Sequence, residues 1–220
     1  MKILGIDEAG RGPVIGPLVV CGYLIDEKKQ PALRKLRVKD SKQLTPEKRS
    51  ELAPLLQSLA TQYKLSVISA QEIDSYRDVS NLNKLEIKKM QELINALKPD
   101  QVIIDAPEVN TKVFSNKVRA GIDDRSIDII AENFADATYP EVSAASILAK
   151  VTRDHEIEEL HKTYGFFGSG YTSDERTITF LKDWIKVNKE FPSFVRSSWI
   201  TAQLMVQDKQ QATLERFTGD

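Results

Sequence analysis

The order of strand and helix patterns constrains the fold of this chain most. Every strand pattern lies before residue 132, and only helical patterns follow Tyr139. Short apolar or alternating runs predict five strands, at residues 1–7, 17–26, 63–69, 101–105 and 126–131. Strands interleaved with helices and followed by helices alone predict an α/β fold, in which a mixed sheet is flanked by helices and carries a helical C-terminal subregion.

Capping residues set the expected bounds of the helices. Thr45 and Pro46 open a helix over residues 46–60, Pro99 closes one over 82–97, and Gly121 stops one over 110–120. Pro140 opens a long helix that continues to about Tyr164 and is ended by Gly165. Two more helices are predicted after it, at residues 174–188 and 192–207, followed by a polar tail at 208–220.

Composition excludes several classes of protein. Of the 220 residues, 41% are hydrophobic and 29% charged, which rules out collagen-like, low-complexity and wholly disordered chains. The apolar run at 18–25 is far shorter than a membrane helix, and Asp7 and Glu8 stand where a signal peptide would be apolar. We therefore expect a cytoplasmic protein, in which the single cysteine, Cys21, is a buried structural thiol.

The charge is balanced overall but uneven along the chain. The net charge is −1 and the pI is near 6.2, which argues against a uniformly basic surface. Residues 28–49 nevertheless hold nine basic and two acidic side chains, whereas residues 100–141 hold nine acidic and four basic ones. A basic surface beside an acidic pocket would suit a polyanion bound over metal ions. Two ordinary solvated faces would give the same counts.

Acidic residues occur where predicted strands end. Asp7 and Glu8 close the first strand, Asp105 closes the fourth, and Asp136 lies in the predicted loop before Pro140. Sites in α/β folds collect at the carboxyl edge of the sheet, and oxygen ligands without His or Cys favour Mg²⁺ or Mn²⁺. Two such ions can support phosphodiester cleavage. The alternative is that each aspartate only caps a helix or a turn.

The segment after the first strand is rich in glycine. Gly10 and Gly12 flank Arg11, so the backbone can approach a ligand closely while a guanidinium faces phosphate. A dinucleotide-binding loop would need glycine where Ile15 stands, and no Gly-Lys-Ser/Thr follows. Two common nucleotide-binding loops are therefore excluded.

Four sequence blocks resemble type 2 ribonuclease H (ribonuclease HII) of the archaeal kind. They are GIDEAGRGP at 5–13, DSKQL at 40–44, SAASILAKVTRD at 143–154 and GSGYTSD at 168–174. The resemblance implies a ribonuclease H-like catalytic domain over 1–164, a helical subregion over 165–207 packed on it, and a tail over 208–220. It also implies an endoribonuclease that cuts RNA in RNA–DNA hybrids and at ribonucleotides embedded in duplex DNA. Such an enzyme leaves 5′-phosphate and 3′-hydroxyl ends, and it removes primers or misincorporated ribonucleotides.

The resemblance also assigns roles to single residues. It implies that Mg²⁺ or Mn²⁺, two ions with substrate bound, is held by four catalytic carboxylates: Asp7, Glu8, Asp105 and Asp136. The last is placed at Asp136 because it stands four residues ahead of Pro140, as in the family pattern; Asp128 and Glu132 are its competitors. The family's Gly-Arg-Gly motif, here Gly10, Arg11 and Gly12, would read the ribose 2′-hydroxyl.

Further substrate contacts are implied downstream. Tyr171 matches the tyrosine that packs on the deoxyribose after the ribonucleotide, although Thr172 replaces the usual proline and puts the stiffness of the loop in doubt. Lys42 would contact backbone phosphate.

The spacing of Ser143, Ser146 and Lys150 puts them on one helix face, which either meets phosphate or allows close helix packing. Arg153 and Asp154 could form an ion pair. His155 and His161 lack the spacing of a zinc-protease motif, since Glu159 stands where the second histidine belongs, and both are predicted at the surface.

The end of the chain resembles a peptide that binds the sliding clamp. Gln211, Leu214 and Phe217 have its spacing, whereas Thr218 stands where many such peptides carry a second aromatic residue, which predicts weaker binding. The alternative is a terminus packed back on the domain. Two other functions stay open for the whole chain: a catalytically silent binding module, and a DNA nuclease or resolvase on the same metal scaffold.

Overall fold

The computed structural model describes residues 1–36 and 44–218, with side chains as far as residue 211. Within these residues the sheet has five strands, in the order β3-β2-β1-β4-β5. The strands are β1 (Lys2–Ala9), β2 (Leu18–Asp26), β3 (Gln62–Ile68), β4 (Gln101–Asp105) and β5 (Asp128–Glu132). β2 is antiparallel to β1 and β3, whereas β4 is parallel to β1 and β5. The predicted mixed sheet is confirmed.

Helices cover both faces of the sheet and continue beyond it. They are α1 (Gln30–Lys35), α2 (Pro46–Leu59), α3 (Ala70–Arg77), α4 (Leu82–Leu97), α5 (Thr111–Ala120), α6 (Ala135–Thr138), α7 (Pro140–Tyr164), α8 (Glu175–Val187) and α9 (Ile200–Thr218). The Thr45 side chain caps α2, and Gly165 ends α7 with φ of 81°, as the sequence predicted. Among the described residues, no helix is long and apolar enough to span a membrane.

The apolar core has a layer on each side of the sheet. On one face, Leu4 and Ile6 of β1 pack with the buried side of α4 and with α5. On the other face, β2 contributes Cys21 and Tyr23, which pack against α2 and the alanines of α7. Cys21 is a buried free thiol, as predicted. Because β1 and β2 lie between two helical layers, they fix the position of the residues that follow them.

The C-terminal region departs from the predicted helix bounds. α9 begins at Ile200 rather than 192 and continues to Thr218, through residues predicted as a polar tail. Residues before α9 bond to the loop after β1: Arg196 N–H donates to the Val14 carbonyl at 2.8 Å, and Val195 forms a bridge with Ile15. These tertiary hydrogen bonds hold the segment in turns around a β-bridge despite its helical pattern.

Candidate active site

A cleft of about 500 Å³ opens where β1 leaves the sheet. It is lined by Asp7 and Glu8 of β1, the loop that follows them, Asp105 of β4 and cations from α2 and α7. β1 continues to Ala9, two residues beyond its predicted end at residue 7. Successive strand residues point to opposite faces, which sends Asp7 and Glu8 toward different partners within one cleft.

Three carboxylates meet at the carboxyl ends of β1 and β4. Asp7, Asp105 and Asp136 each offer an oxygen, and these atoms lie within 4.8 Å of one another. β1 and β4 are adjacent parallel strands, so their ends bring Asp7 and Asp105 together. The Ala135 N–H donates to Asp105 Oδ1 at 3.2 Å, which ties α6 to β4. Asp136 therefore lies in a short helix, not in the loop predicted before Pro140.

The two competitors of Asp136 lie outside this cluster. Asp128 is exposed at the start of β5 and accepts a hydrogen bond from Gln101 Nε2 at 2.7 Å. Glu132 accepts one from the Tyr139 hydroxyl at 3.1 Å. The geometry thus favours Asp136 as the partner of the other two aspartates.

Burial of these carboxyl groups disfavours their ionised forms. It raises the pKa of Asp7 from 3.8 to about 7; the nearby Lys150 charge and a hydrogen bond from Ser146 oppose the rise, and the Asp105 charge adds to it. The pKa of Glu8 is also raised, first by burial and then by its acidic neighbours Glu86 and Asp7. The cluster consists of closely spaced carboxylate oxygens and contains no His or Cys. Such a ligand set fits Mg²⁺ or Mn²⁺.

The loop over Gly10, Arg11 and Gly12 is held by backbone contacts. Gly10 has φ of 84°, and a Cβ atom there would lie 2.5 Å from the Pro17 carbonyl oxygen, so only glycine fits. Arg196, which is fully buried, donates to the carbonyls of Gly10, Arg11 and Gly16. Sequence reasoning missed Arg196, and its only signal was a charged residue inside the apolar segment before α9.

Tyr171 lies against this loop. Its ring atom Cε1 is 3.6 Å from the position a Cβ would take on Gly12, and the Arg153 guanidinium lies 5.3 Å from the ring centroid. The Gly170 carbonyl accepts hydrogen bonds from Val14 and Ile15, so the tyrosine loop is anchored although Thr172 replaces proline. The suggested Arg153–Asp154 pair does not form, because Asp154 pairs with Arg49 at 3.2 Å.

The serines on the polar face of α7 are buried rather than open to the cleft. Ser143 and Ser146 are fully buried. Lys150 Nζ donates to Ser146 Oγ, and Ser146 in turn bonds to Asp7. The Glu141 backbone comes so close to β1 that no Cβ would fit at Gly5. This favours the packing alternative for Ser143, whereas Lys150 lines the cleft.

The remaining predicted residues lie away from the cleft or outside the description. His155 is exposed as predicted. His161 is not, since its ring packs on Phe167 and lies 2.9 Å from the Gly168 carbonyl oxygen. Lys42 falls outside the described residues, as do the side chains of Leu214 and Phe217; the backbone of Gln211 and of these two residues is helical.

A five-stranded mixed sheet in this order, with aspartates at the ends of the adjacent strands β1 and β4, is the arrangement of the ribonuclease H-like class of enzymes. The family model for Ribonuclease HII matches residues 4–202. The chain is 46% identical over 223 residues to Ribonuclease HII of Pyrococcus furiosus, which covers 99% of this chain and 98% of that protein. The chain belongs to the ribonuclease HII family.

Solved structures agree with this membership. The crystal structure of ribonuclease H2 from Pyrococcus horikoshii OT3 is 44% identical, with a TM-score of 0.90, covering 96% of this chain and 100% of that one. A PCNA:RNase HII complex from Archaeoglobus fulgidus contains a chain 40% identical, with a TM-score of 0.83, covering 90% and 95%. The predicted ribonuclease HII resemblance is confirmed, and with it a divalent-metal-using ribonuclease H that acts on RNA–DNA hybrids.

Proposed function

We propose that this enzyme also cuts at single ribonucleotides embedded in duplex DNA, and that it leaves 5′-phosphate and 3′-hydroxyl ends. The observation that carries the proposal is the convergence of two features in one cleft: the aspartate cluster, and the Gly10–Gly12 loop with Tyr171 against it. A 2′-hydroxyl both donates and accepts hydrogen bonds, and it is the group that distinguishes RNA from DNA at a cleavage site. Removal of primers or misincorporated ribonucleotides would follow from this activity.

The chain's own residues supply the metal site and the substrate contacts. Asp7, Asp105 and Asp136, with Glu8 beside them, would hold Mg²⁺ or Mn²⁺, two ions when substrate is bound. Such ions activate water and stabilise the leaving oxygen. Gly10, Arg11 and Gly12 would meet the ribose, and Tyr171 the following deoxyribose. Phosphate contacts are proposed for Lys42 and Lys150, whereas Ser143 and Ser146 are fully buried and do not line the cleft.

One duplex series tests this function. Duplexes with zero, one or four consecutive ribonucleotides are incubated with the protein and Mg²⁺ or Mn²⁺. We expect cleavage of the last two and not of the first, and loss of cleavage in Asp7→Asn, with duplex binding retained. Comparable cutting of the all-DNA duplex would favour a DNA nuclease or resolvase. Binding without any cleavage would favour a silent module.

We also propose that the C-terminal end of α9 binds a sliding clamp. Gln211, Leu214 and Phe217 have the spacing of a clamp-binding peptide, and the Archaeoglobus fulgidus relative is found in a complex with PCNA. Lys209 anchors the preceding turn by donating to the carbonyls of Ile185 and Asn188. An enzyme that acts on replicating DNA together with a clamp would lie in the cytoplasm, the location predicted from the sequence.

Point variants test this docking better than a deletion that removes Lys209. Immobilised clamp should retain the wild type and the control Thr213→Ala, but not the double variant Leu214→Ala/Phe217→Ala. Equal retention of all three proteins would contradict the proposal.

A further inference from the structure

Glu86 is a buried carboxylate that faces the Gly10–Gly12 loop from α4. Its side chain is fully buried, and neither of its oxygens accepts a hydrogen bond from the described residues. Its closest counter-charge is Arg11, whose Nη1 lies 3.2 Å from Glu86 Oε2. A buried carboxylate is expensive compared with an apolar side chain of the same size. Glu86 therefore contributes something other than filling space in α4.

The same helix holds the other end of the Arg11 guanidinium. Arg11 Nη2 donates to Asn83 Oδ1 at 2.7 Å, and Asn83 in turn donates to Glu108 Oε1 at 3.1 Å. Asn83 and Glu86 are three residues apart, so they share one face of α4. Both terminal nitrogens of Arg11 thus contact α4, a geometry that the planar guanidinium allows and an ammonium group does not.

The opposite side of the loop is fixed by the segment before α9. Arg196 donates to the carbonyls of Gly10 and Arg11, and Trp199 Nε1 donates to the Gly12 carbonyl at 3.1 Å. The backbone of the loop is therefore held from one side, and its one long side chain from the other. Without the contact to α4, the Arg11 side chain would keep only its longer ion pair with Glu8, at 3.9 Å, and could rotate across the cleft that it lines.

We propose that Glu86 is a positioning residue that, together with Asn83, keeps Arg11 on α4, so that the Gly10–Gly12 loop meets its substrate in one conformation. This inference rests on the proposed role of the loop as the part that contacts the ribose. Ordering the loop before binding lowers the cost of ordering it during binding. Glu86 acts through Arg11 and does not touch the substrate.

A double-mutant cycle tests the inference, with kcat and KM measured on the hybrid with four ribonucleotides. We expect Glu86→Gln and Glu86→Ala to lower kcat/KM about tenfold, mainly by raising KM, because the loss is one of preorganisation. Arg11→Ala should cause a similar loss, and Arg11→Ala/Glu86→Gln no further one. A merely structural role of Glu86 would make the two losses additive.

The control is Glu141→Gln, which neutralises another buried carboxylate. Glu141 accepts a hydrogen bond from Gln30, whereas Glu86 forms an ion pair. It should leave kcat/KM within about twofold of wild type. Thermal melts check that each variant folds, and Glu86→Gln, which keeps the side-chain volume, decides the question if Glu86→Ala does not fold. Additive losses, or a folded Glu86→Gln with wild-type kinetics, would overturn the inference. The readout here is cleavage of the hybrid. If the enzyme does not cut at single ribonucleotides, that result refutes the proposed function but not the inference about Glu86.

Discussion

Replacing Asp7 with asparagine should stabilise the metal-free protein while it abolishes cleavage. Burial raises the pKa of Asp7 from 3.8 to about 7, so the folded state disfavours the carboxylate relative to the unfolded chain. One pKa unit corresponds to about 1.4 kcal/mol, so full ionisation costs the folded state about 4 kcal/mol. Asparagine keeps the shape and the oxygen that accepts the Glu8 N–H, but it carries no charge.

The sign of the pH dependence follows from the raised pKa. Below pH 3.8 the carboxyl group is protonated in both states and costs nothing; the penalty grows between pH 3.8 and 7 and is complete above 7. Asp7→Asn should therefore gain about 2 kcal/mol at pH 5.5 and about 4 kcal/mol at pH 8 in free energy of unfolding.

Urea unfolding in EDTA at these two pH values measures the difference. The control is Asp183→Asn, because Asp183 is an aspartate with a side chain that is 62% exposed and pairs with Lys186 on the surface of α8. It should change stability by less than about 0.5 kcal/mol at either pH. An Asp7→Asn protein that is no more stable than wild type at pH 8, or that gains equally at both values, would refute the electrostatic reasoning.

Three further results are expected. Asp136→Asn should lower kcat at least ~100-fold, whereas Asp128→Asn should lower it less than about twofold, since only Asp136 joins the cluster. A larger loss of kcat in Asp128→Asn would assign the fourth carboxylate to Asp128 instead. Gly10→Ala should lose about 3 kcal/mol or more in urea unfolding. Gly165 has a similar φ of 81° but open space around it, so Gly165→Ala should lose about 1–2 kcal/mol. Burial raises the pKa of Cys21, so a thiol reagent at pH 8 should label it only after unfolding, and labelling of the folded protein would contradict its placement.

The elements that could be predicted are those with local signals. α2 and α4 carry a side-chain cap at the start, and β4 is an apolar run that ends in a single aspartate. α1 and α3 were missed because they are short and mostly exposed, so little apolar periodicity marks them.

The aspartate cluster was predictable in part for the same reason. Asp7 and Asp105 close recognisable strands, and adjacent parallel strands end at one edge. Glu86 and Arg196 could not be found this way. Each meets the Gly10–Gly12 loop from an element distant in sequence, and no local pattern records that contact.

The most direct test of this account uses a duplex with one ribonucleotide and a label at the 5′ end of the strand that carries it. Protein freed of metal by EDTA is assayed with and without added Mg²⁺ or Mn²⁺, and a DNA polymerase is then added to the products. The account predicts a cut at the ribonucleotide only when metal is present, with a 3′-hydroxyl end that the polymerase extends. Cleavage without metal, or products that cannot be extended, would contradict it.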